Sequence, residues 1–214
     1  TPSFERTNDW AFDPNDQLPE IPREDQQYIL KGYGSYGYDR GHMLASATRY
    51  NTRATNAMTF YATNMMPQSS RFNQGIWAML EGKERDWGPE REKTGGKYLN
   101  YDTLYVVTGT EFLTDKTIDN RNGPIAVPSH CWKVMLRQRG NENRPISDFS
   151  ADELKAVGFL FTNDSDGAAT SLREAACTVE EIEKLTGFTF FRNLDPDVAR
   201  EVKGSYDPGD WPGL

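Results

Sequence analysis

The sequence predicts a single α+β domain over residues 1–214, and three observations lead to that prediction. A chain of 214 residues is long enough to bury a core and short enough for one domain. Hydrophobic residues make up 36% and aromatic residues 12% of it, more than a disordered acidic chain carries. Short apolar runs alternate with helical patterns, and neither an internal repeat nor a Pro/Ser-rich linker divides them. We therefore expect strands and helices packed in one domain.

The first elements in chain order lie before residue 90. Residues 1–40 are rich in Pro, Asp, Gly and Tyr, and this composition predicts extended chain and turns. The run Phe60–Pro67 predicts a short strand that leads into a helix. A continuous helix is expected from about Ser70 to Trp87, because apolar residues recur there at helical spacing and charged residues follow on the other side.

Three apolar runs in the second half of the chain predict strands. Leu104–Gly109 is expected to be a buried strand. Trp132–Gln138 alternates apolar and polar residues, and Val157–Thr162 is a further apolar run. Together these runs indicate that a sheet forms the centre of the domain.

Two helices are predicted near the C-terminus. Thr178 followed three residues later by Glu181 is a capping-box pattern, and the helix that it begins is expected to end at Gly187. Asp195 followed by Pro196 predicts the start of a last short helix, since proline favours the first helical position.

The net charge of the chain limits its partners. Lys and Arg number 24 against 32 Asp and Glu, which gives a net charge of −8. Such a balance argues against a partner held by long-range positive charge over a broad surface, such as bulk DNA or an anionic membrane. No run approaches the ~18 uninterrupted apolar residues that a membrane span needs.

The cysteines and histidines exclude one kind of metal site. A structural zinc site usually has four ligands, and this chain has only Cys131, Cys177, His42 and His130, with no CxxC pair. The two cysteines are compatible with one disulfide in an exported protein, and equally with two buried free thiols.

The most distinctive local motif is Tyr38-Asp39-Arg40-Gly41-His42. It places a histidine beside an arginine and a flexible glycine. A histidine titrates near neutrality and can take a proton from water, while an arginine can hold a phosphate. A lone histidine is more often structural, so these residues by themselves leave both interpretations open.

A second group of polar residues follows at regular spacing. Asn73 and Glu81 are eight residues apart, and Arg85 follows Glu81 by one helical turn. An amide and a carboxylate suit a hard ion such as Mg²⁺, which accepts few protein ligands and keeps several waters. On a regular helix the two side chains would lie roughly 12 Å apart along the axis. Both cannot bind one ion directly unless the helix starts late or bends near Gly75, so Glu81 is better placed to hold a metal-bound water.

These motifs resemble a known family. Asp-Arg-Gly-His, then Thr63-Asn64-Met65-Met66-Pro67-Gln68, then Asn-x-Gly-x-Trp-x-x-Leu-Glu are similar to the DNA/RNA non-specific endonucleases. That family includes secreted bacterial nucleases and mitochondrial endonuclease G, with a ββα-metal (His-Me finger) active site. The resemblance extends to the later blocks Tyr105–Gly109, Ile125–Val134 and Thr178–Gly187.

The resemblance implies a role for each candidate residue. His42 would be the general base, and Asn73 the one direct protein ligand of Mg²⁺. Glu81 would orient a metal-bound water, and Asn64 would position the histidine or the loop around it. The arginines would contact the phosphate or support the site; they are Arg40, Arg85 and, as the candidate for a transition-state arginine, Arg6. Asp39 is expected to maintain local geometry and not to react.

The resemblance also implies a fold, a reaction and partners. We expect the ββα-metal nuclease fold, with a central, mainly antiparallel sheet flanked by helices and long loops. The reaction would be Mg²⁺-dependent hydrolysis of DNA and RNA with little sequence specificity, leaving 5′-phosphate and 3′-hydroxyl ends, with Mn²⁺ as a substitute ion. No membrane partner is expected, and the oligomeric state is left open between a monomer and a homodimer. The chain begins at Thr1 without a signal peptide, and the bacterial branch of the family indicates a secreted or periplasmic protein.

Two other function classes were weighed. One is a catalytically inactive nucleic-acid-binding module of the same fold, against which the intact His42, Asn73 and Glu81 argue. The other is a carboxylate-pair hydrolase of sugars, for which the sequence offers no pair of acids. With a nuclease as the leading hypothesis, a net charge of −8 excludes only a broad basic surface. It predicts one small basic cleft, with binding that is strongly salt-sensitive.

Overall fold

A computed structural model describes residues 4–15, 23–88, 103–120, 123–138, 144–164 and 171–214. The chain divides into two compact units. The first unit comprises residues 1–77, 110–130 and 163–168, and the second comprises residues 78–109, 131–162 and 169–214. The expectation of one domain over residues 1–214 stays a prediction.

The described residues form both helices and strands. The helices are α1 (Arg23–Lys31), α2 (Arg53–Met58), α3 (Ser70–Phe72), α4 (Ala78–Trp87), α5 (Leu172–Ala175), α6 (Val179–Thr186) and α7 (Pro196–Gly204). The strands are β1 (Tyr38–His42), β2 (Met65–Ser69), β3 (Leu104–Glu111), β4 (Thr117–Asn120), β5 (Gly123–Ala126), β6 (His130–Gln138), β7 (Leu154–Thr162) and β8 (Ala176–Cys177). Both kinds of element are present, as an α+β fold requires, and five consecutive strands, β3 to β7, lie between α4 and α5.

An antiparallel ribbon is the centre of the first unit. β1 pairs with β2 in a register that sets Tyr38 opposite Ser69 and His42 opposite Met65. Every residue of β2 is buried, so the ribbon is held by packing along its whole length. The predicted strand in Phe60–Pro67 is confirmed in part: it begins later, at Met65, after a 3₁₀ turn over Ala62–Asn64.

The expectation of extended chain and turns over residues 1–40 is wrong at Arg23–Lys31, where α1 forms. The strand β1 is extended chain, and residues 1–3 and 16–22 lie outside the described residues. Each element depends on distant contacts that composition does not reveal. Gln26 of α1 is buried and accepts a hydrogen bond from the Asp13 backbone N–H at 2.9 Å, and β1 pairs with β2.

A second hairpin in the first unit escaped the sequence analysis. β4 and β5 are antiparallel, with Thr117 opposite Ala126 and Asn120 opposite Gly123. A small core joins this hairpin to the segment before β1 through Tyr33, Ile118 and Val127.

A four-stranded sheet lies at the centre of the second unit. Its strand order is β3-β6-β7-β8, and β7 and β8 are antiparallel. Buried apolar side chains of β6, β7 and α6 form its main core with those of neighbouring segments, including Trp132, Val134, Phe149, Ile182 and Val202. The three predicted strands are therefore confirmed as elements of one sheet.

The burial of two of these strands differs from expectation. β3 was expected to be buried, but it is an edge strand, and Tyr105, Val106 and Val107 are each 38% exposed. β6 was expected to alternate between core and solvent, yet it is buried from Cys131 to Gln138. An interior strand covered on both faces buries its polar residues too.

The two predicted C-terminal helices are confirmed. The Thr178 hydroxyl accepts a hydrogen bond from the Glu181 N–H, the Glu181 carboxylate accepts one from the Thr178 N–H, and Gly187 ends the helix with a φ of 73°. Asp195 caps α7, with Pro196 at its first position. Within the described residues, no helix is both long and apolar enough to cross a membrane.

Candidate active site

The β1–β2 ribbon of the first unit presents His42 at the end of β1. Gly41, next to it, is required by a close approach and not by flexibility. A Cβ atom added to Gly41 would lie 2.0 Å from Oε1 of the Gln68 side chain, which is fully buried. The expected flexible glycine is therefore a packing glycine that lets Gln68 lie against β1.

His42 sits in an aromatic pocket. Its side chain is only 8% exposed, and it makes edge contacts with the rings of Trp10 (5.9 Å between centroids) and Phe60 (5.1 Å). The ring forms a hydrogen bond to the Arg40 backbone. Nε2 is buried and has no hydrogen-bond partner among the residues that the structure describes. A ring held on three sides with one unpaired nitrogen has the geometry of a proton acceptor.

The surroundings of His42 keep it neutral. Burial is the largest cause that lowers the pKa of His42 from 6.5 to about 4, and the positive charges of Arg6 and Arg40 lower it further. The hydrogen bond to the Arg40 backbone opposes this in part. At neutral pH the imidazole is therefore unprotonated and able to accept a proton.

Arg40 and Arg6 both lie beside this pocket. The guanidinium of Arg40 stacks over the Trp10 ring at 3.6 Å and donates a hydrogen bond to the Leu30 carbonyl at 2.9 Å. Arg6 is exposed, with its guanidinium carbon 4.9 Å from the centre of the Phe60 ring. Both arginines are thus close enough to His42 to affect its pKa, and Arg6 keeps a face open to solvent.

Asn64 fastens the chain that follows His42. Its side-chain oxygen accepts from the Leu44 N–H at 2.9 Å, and its side-chain nitrogen donates to the carbonyls of Leu44 (2.9 Å) and Thr59 (2.8 Å). Its own carbonyl accepts from the Met43 N–H at 2.9 Å. The predicted positioning role of Asn64 fits these contacts.

A carboxylate network orients Asn73. Asp39 accepts hydrogen bonds from Ser70 Oγ at 2.8 Å, Asn73 Nδ2 at 2.9 Å and Gln74 Nε2 at 2.8 Å. Burial acts to raise the pKa of Asp39, but these three donors outweigh it and hold the pKa below its ordinary value. Because the amide nitrogen of Asn73 is committed to Asp39, its Oδ1 is the atom left to bind a cation. The expectation that Asp39 maintains geometry fits this network.

The predicted continuous helix over Ser70–Trp87 is interrupted. α3 ends at Phe72, a π-helical turn spans Asn73–Trp77, and Gly75 has non-helical angles of φ −101° and ψ −109°. The regular helix α4 begins only at Ala78. Both departures from a regular helix that the sequence analysis considered, a late start and a bend near Gly75, are therefore present.

Glu81 and Arg85 both belong to α4, in the second unit. Glu81 is in its first turn and half-buried, and Arg85 is in its last turn and exposed. The other five candidates, which are Arg6, Arg40, His42, Asn64 and Asn73, all belong to the first unit.

Sequence reasoning missed two buried asparagines that support the site. Asn163 donates to the carbonyls of Pro67 and Pro128 and accepts from the Ser69 N–H at 2.9 Å, so it fixes the chain just before α3. Asn56 is fully buried in α2 and hydrogen-bonds to Thr7 and Ser46. Neither asparagine stands in a sequence motif, and the residues to which each side chain hydrogen-bonds lie ten or more positions away in sequence. No local pattern therefore identifies either asparagine.

The remaining candidates for chemistry are the two cysteines and any cluster of metal-binding side chains. Cys131 and Cys177 are thiols and not a disulfide, which decides between the two alternatives; Cys131 is buried and Cys177 half-buried. Within the described residues, no cluster of three or more His, Cys, Asp or Glu side chains could hold a metal ion.

Comparison with known proteins places this geometry in context. The sequence model described as DNA/RNA non-specific endonuclease matches residues 2–197. A nuclease of Nostoc sp. is 30% identical over 175 residues, covering 82% of this chain and 58% of that protein. Nuclease C1 of Cunninghamella echinulata var. echinulata is 32% identical over 187 residues, covering 83% and 66% respectively.

A solved structure shares the fold. A chain of the crystal structure of the EndoG/EndoGI complex superposes with a TM-score of 0.57 at 25% sequence identity, covering 76% of this chain and 62% of that one. This match confirms the expected fold of helices and antiparallel strands. The chain spans less than two thirds of the length of the two relatives above.

Proposed function

The chain belongs to the DNA/RNA non-specific endonuclease family, and we propose that it hydrolyses the phosphodiester bonds of DNA and RNA with little sequence preference. The observation that carries this proposal is the buried, neutral His42 with an unpaired Nε2, in the same unit as Asn73. A second support is that its relatives are named nucleases.

His42 is the general base of the proposed reaction. Its Nε2 takes a proton from the attacking water, and the hydrogen bond to the Arg40 backbone holds the ring in place while it does so. The aromatic rings of Trp10 and Phe60 exclude bulk water from the other sides of the imidazole. This environment keeps the base unprotonated at the pH at which it works.

Asn73 is the proposed direct ligand of Mg²⁺, through Oδ1. The Asp39 network supports this assignment, because it commits the amide nitrogen and leaves the oxygen. Bound there, the ion would act as a Lewis acid on the phosphate and stabilise the leaving oxygen, and Mn²⁺ is a plausible substitute in chemical terms. Glu81 is proposed to orient a water of that ion.

The arginines neutralise charge in the proposed reaction. Arg6, exposed beside Phe60, is the candidate for contact with the phosphate in the transition state. Arg40 acts chiefly as support, because it is stacked on Trp10 and bonded to Leu30. Arg85 is proposed as a further phosphate contact. The products are proposed to carry 5′-phosphate and 3′-hydroxyl ends.

The location and the oligomeric state of the protein are two further proposals. We propose that it acts outside the cytoplasm, as a secreted or periplasmic protein, and that it forms a homodimer. An inactive binding module of the same fold is not favoured, because His42, Asn73 and Asp39 keep a geometry suited to chemistry.

The test is cleavage of supercoiled plasmid and total RNA in the presence of Mg²⁺, repeated with EDTA. His42→Ala is expected to lower the rate by about 10²–10⁴-fold, the usual contribution of a general base. His130→Ala is the matched control, since the ring of this other histidine lies outside the His42 pocket and hydrogen-bonds to its neighbour, Ser129 Oγ, at 3.0 Å. Equal cleavage by wild type and His42→Ala would refute the assignment of the base. No cleavage with either Mg²⁺ or Mn²⁺ would favour the binding module.

A further inference from the structure

A fully buried asparagine ties the beginning of the chain to the loop that follows β1. We define residues 4–12 as the N-terminal arm and residues 43–50 as the post-β1 loop. Asn56 Oδ1 accepts hydrogen bonds from the backbone N–H and the hydroxyl of Thr7, both at 3.1 Å. Asn56 Nδ2 donates to the Ser46 carbonyl at 2.8 Å. One side chain thus connects the arm and the loop across 49 and 10 residues of sequence.

These bonds anchor the arm directly beside Arg6. Thr7 follows Arg6 in sequence, so fixing the Thr7 N–H fixes the peptide that joins the two residues. Asn8 continues the arm with a φ of 51°, a left-handed conformation, and its side chain donates to the Arg6 carbonyl at 3.4 Å. Within the described residues, the two hydrogen bonds that join residues 4–8 to another segment both end on Asn56.

The far end of the arm has an anchor of its own. The Ala11 N–H donates to the Phe60 carbonyl at 3.3 Å, and the Ala11 carbonyl accepts from the Ala62 N–H at 3.0 Å. Trp10 is held by its contacts with His42 and Phe60. At the other end of the arm, the Phe4 ring packs on Tyr50 of the post-β1 loop, 5.6 Å between centroids. Loss of Asn56 would therefore loosen the backbone beside Arg6, between these two contacts, and leave Trp10 in place.

We propose that Asn56 is a positioning residue of the catalytic site, which holds Arg6 over Phe60 and beside His42. The proposal rests on the proposed function, in which Arg6 contacts the phosphate in the transition state. Arg6 is exposed, and its long side chain has many rotamers. Fixing its backbone keeps the guanidinium within reach of Phe60 and His42. Holding a charged group in its reactive position before substrate binds is a recognised source of rate.

A merely structural role makes a different prediction. Burying an amide with all its hydrogen bonds made is common in stable cores, and removal of any such amide lowers stability. If stability were all that Asn56 supplied, its loss would act independently of Arg6. If Asn56 acts through Arg6, the two substitutions are coupled.

The test is a double-mutant cycle with Asn56→Ala and Arg6→Ala. It is measured in the steady-state kcat and KM of plasmid cleavage at saturating Mg²⁺. Arg6→Ala is expected to lower kcat about 10²-fold, as loss of a transition-state contact does. Asn56→Ala is expected to lower kcat about tenfold in the wild-type background, with KM nearly unchanged, and by less than about twofold in the Arg6→Ala background. An equal factor in both backgrounds overturns the proposal.

Three variants guard against simple loss of the fold. Thr7→Val keeps the shape of the side chain and removes the hydroxyl donor, so it should reproduce part of the loss, whereas Thr7→Ser keeps the hydroxyl and should restore the rate to within about twofold. Thr178→Ala removes the cap of α6 in the second unit and is the control for stability. It should lower Tm with no coupling to Arg6→Ala; the same coupling from Thr178→Ala overturns the proposal.

A readout independent of cleavage separates this proposal from the proposed function. The chain has two histidines, so the His42 resonances are assignable by comparison with His130→Gln. Arg6→Ala should raise the pKa of His42, because it removes a nearby positive charge. Asn56→Ala should raise it in the same direction, with no further rise in the double variant. An unchanged pKa in Asn56→Ala overturns the positioning role, whereas a wild type that fails to cleave overturns the proposed function alone.

Discussion

Two buried basic side chains, one in each unit, show how differently the molecule treats charge. Lys133 of the second unit is 1% exposed and is neutralised, since its Nζ donates to Glu84 Oε1 at 2.8 Å and to Thr108 Oγ1 at 3.1 Å. His42 of the first unit is also buried, but the charged groups beside it are two arginines, which lower its pKa. Its Nε2 has no hydrogen-bond partner among the described residues.

The difference separates a structural ion pair from a reactive group. A buried cation normally requires a partner, because an uncompensated charge is costly in a low-dielectric interior. His42 avoids that cost by giving up its proton, which leaves a neutral base with an open lone pair. His42 of the first unit is thus a neutral base that can accept a proton, whereas Lys133 of the second unit is a structural group in an ion pair.

The largest effect is expected from breaking the ion pair of the second unit. Lys133→Met leaves Glu84 buried without its cation and should destabilise the protein by about 3–5 kcal/mol. The double variant Lys133→Met, Glu84→Leu should recover most of this loss. Urea unfolding followed by circular dichroism measures both. If the single and double variants are equally destabilised, the pair is not what Lys133 contributes.

Acid should weaken the first unit through His42. The pKa of His42 is about 4 in the folded protein against 6.5 for the ordinary group, so between these values only the unfolded chain binds the proton. The stabilising contribution is therefore complete above pH 6.5 and is lost as the pH falls, by about 2–3 kcal/mol at pH 4.5. Urea unfolding at pH 7.5 and 4.5 measures the change.

His42→Gln is the control for that pH dependence. Carboxylates with lowered pKa values, such as Asp39, also lose stabilising bonds in acid, and they do so in both proteins. The loss between pH 7.5 and 4.5 should therefore be smaller in His42→Gln by the amount that His42 contributes. An identical loss in the two proteins would show that His42 is not buried in its neutral form.

A smaller effect is expected from loosening Asn73. Asp39→Asn replaces an acceptor of three hydrogen bonds with a group that is itself half donor, so the Asn73 amide is free to turn. The Mg²⁺ concentration for half-maximal cleavage should rise about 10–100-fold, the usual cost of losing a partner of a metal ligand. Gln74→Ala removes one donor and leaves Asn73 bonded to Asp39, so it should have little effect. An unchanged Mg²⁺ dependence in Asp39→Asn would remove the argument for Asn73 Oδ1.

The sequence predicted what depends on neighbouring residues. The capping box of α6 and the cap of α7 are local chemistry, and both formed as expected. The candidates Arg40, His42 and Asn73 stand in short sequence motifs. Arg40 and His42 lie on β1, and Asn73 hydrogen-bonds to Asp39 of the same strand.

The remainder depends on contacts that no local pattern encodes. Gly41 is required by a side chain that arrives from β2, and Asn56 and Asn163 bond to residues far away in sequence. The burial of β6 and the exposure of β3 follow from strand order, which was not predicted. The break at Gly75 shows that helical periodicity predicts a helix without showing where it is interrupted.

The most direct test of the account is the pH dependence of kcat/KM for plasmid cleavage at saturating Mg²⁺. Because kcat/KM reports the base of the free enzyme, we expect its acid limb to lie well below pH 6.5, near the pKa of about 4 of His42, with activity holding into mildly alkaline pH. Arg6→Ala should move that limb to higher pH. A profile that peaks at pH 5, or an acid limb at or above pH 6.5, would contradict the central claim that a buried, neutral His42 is the base.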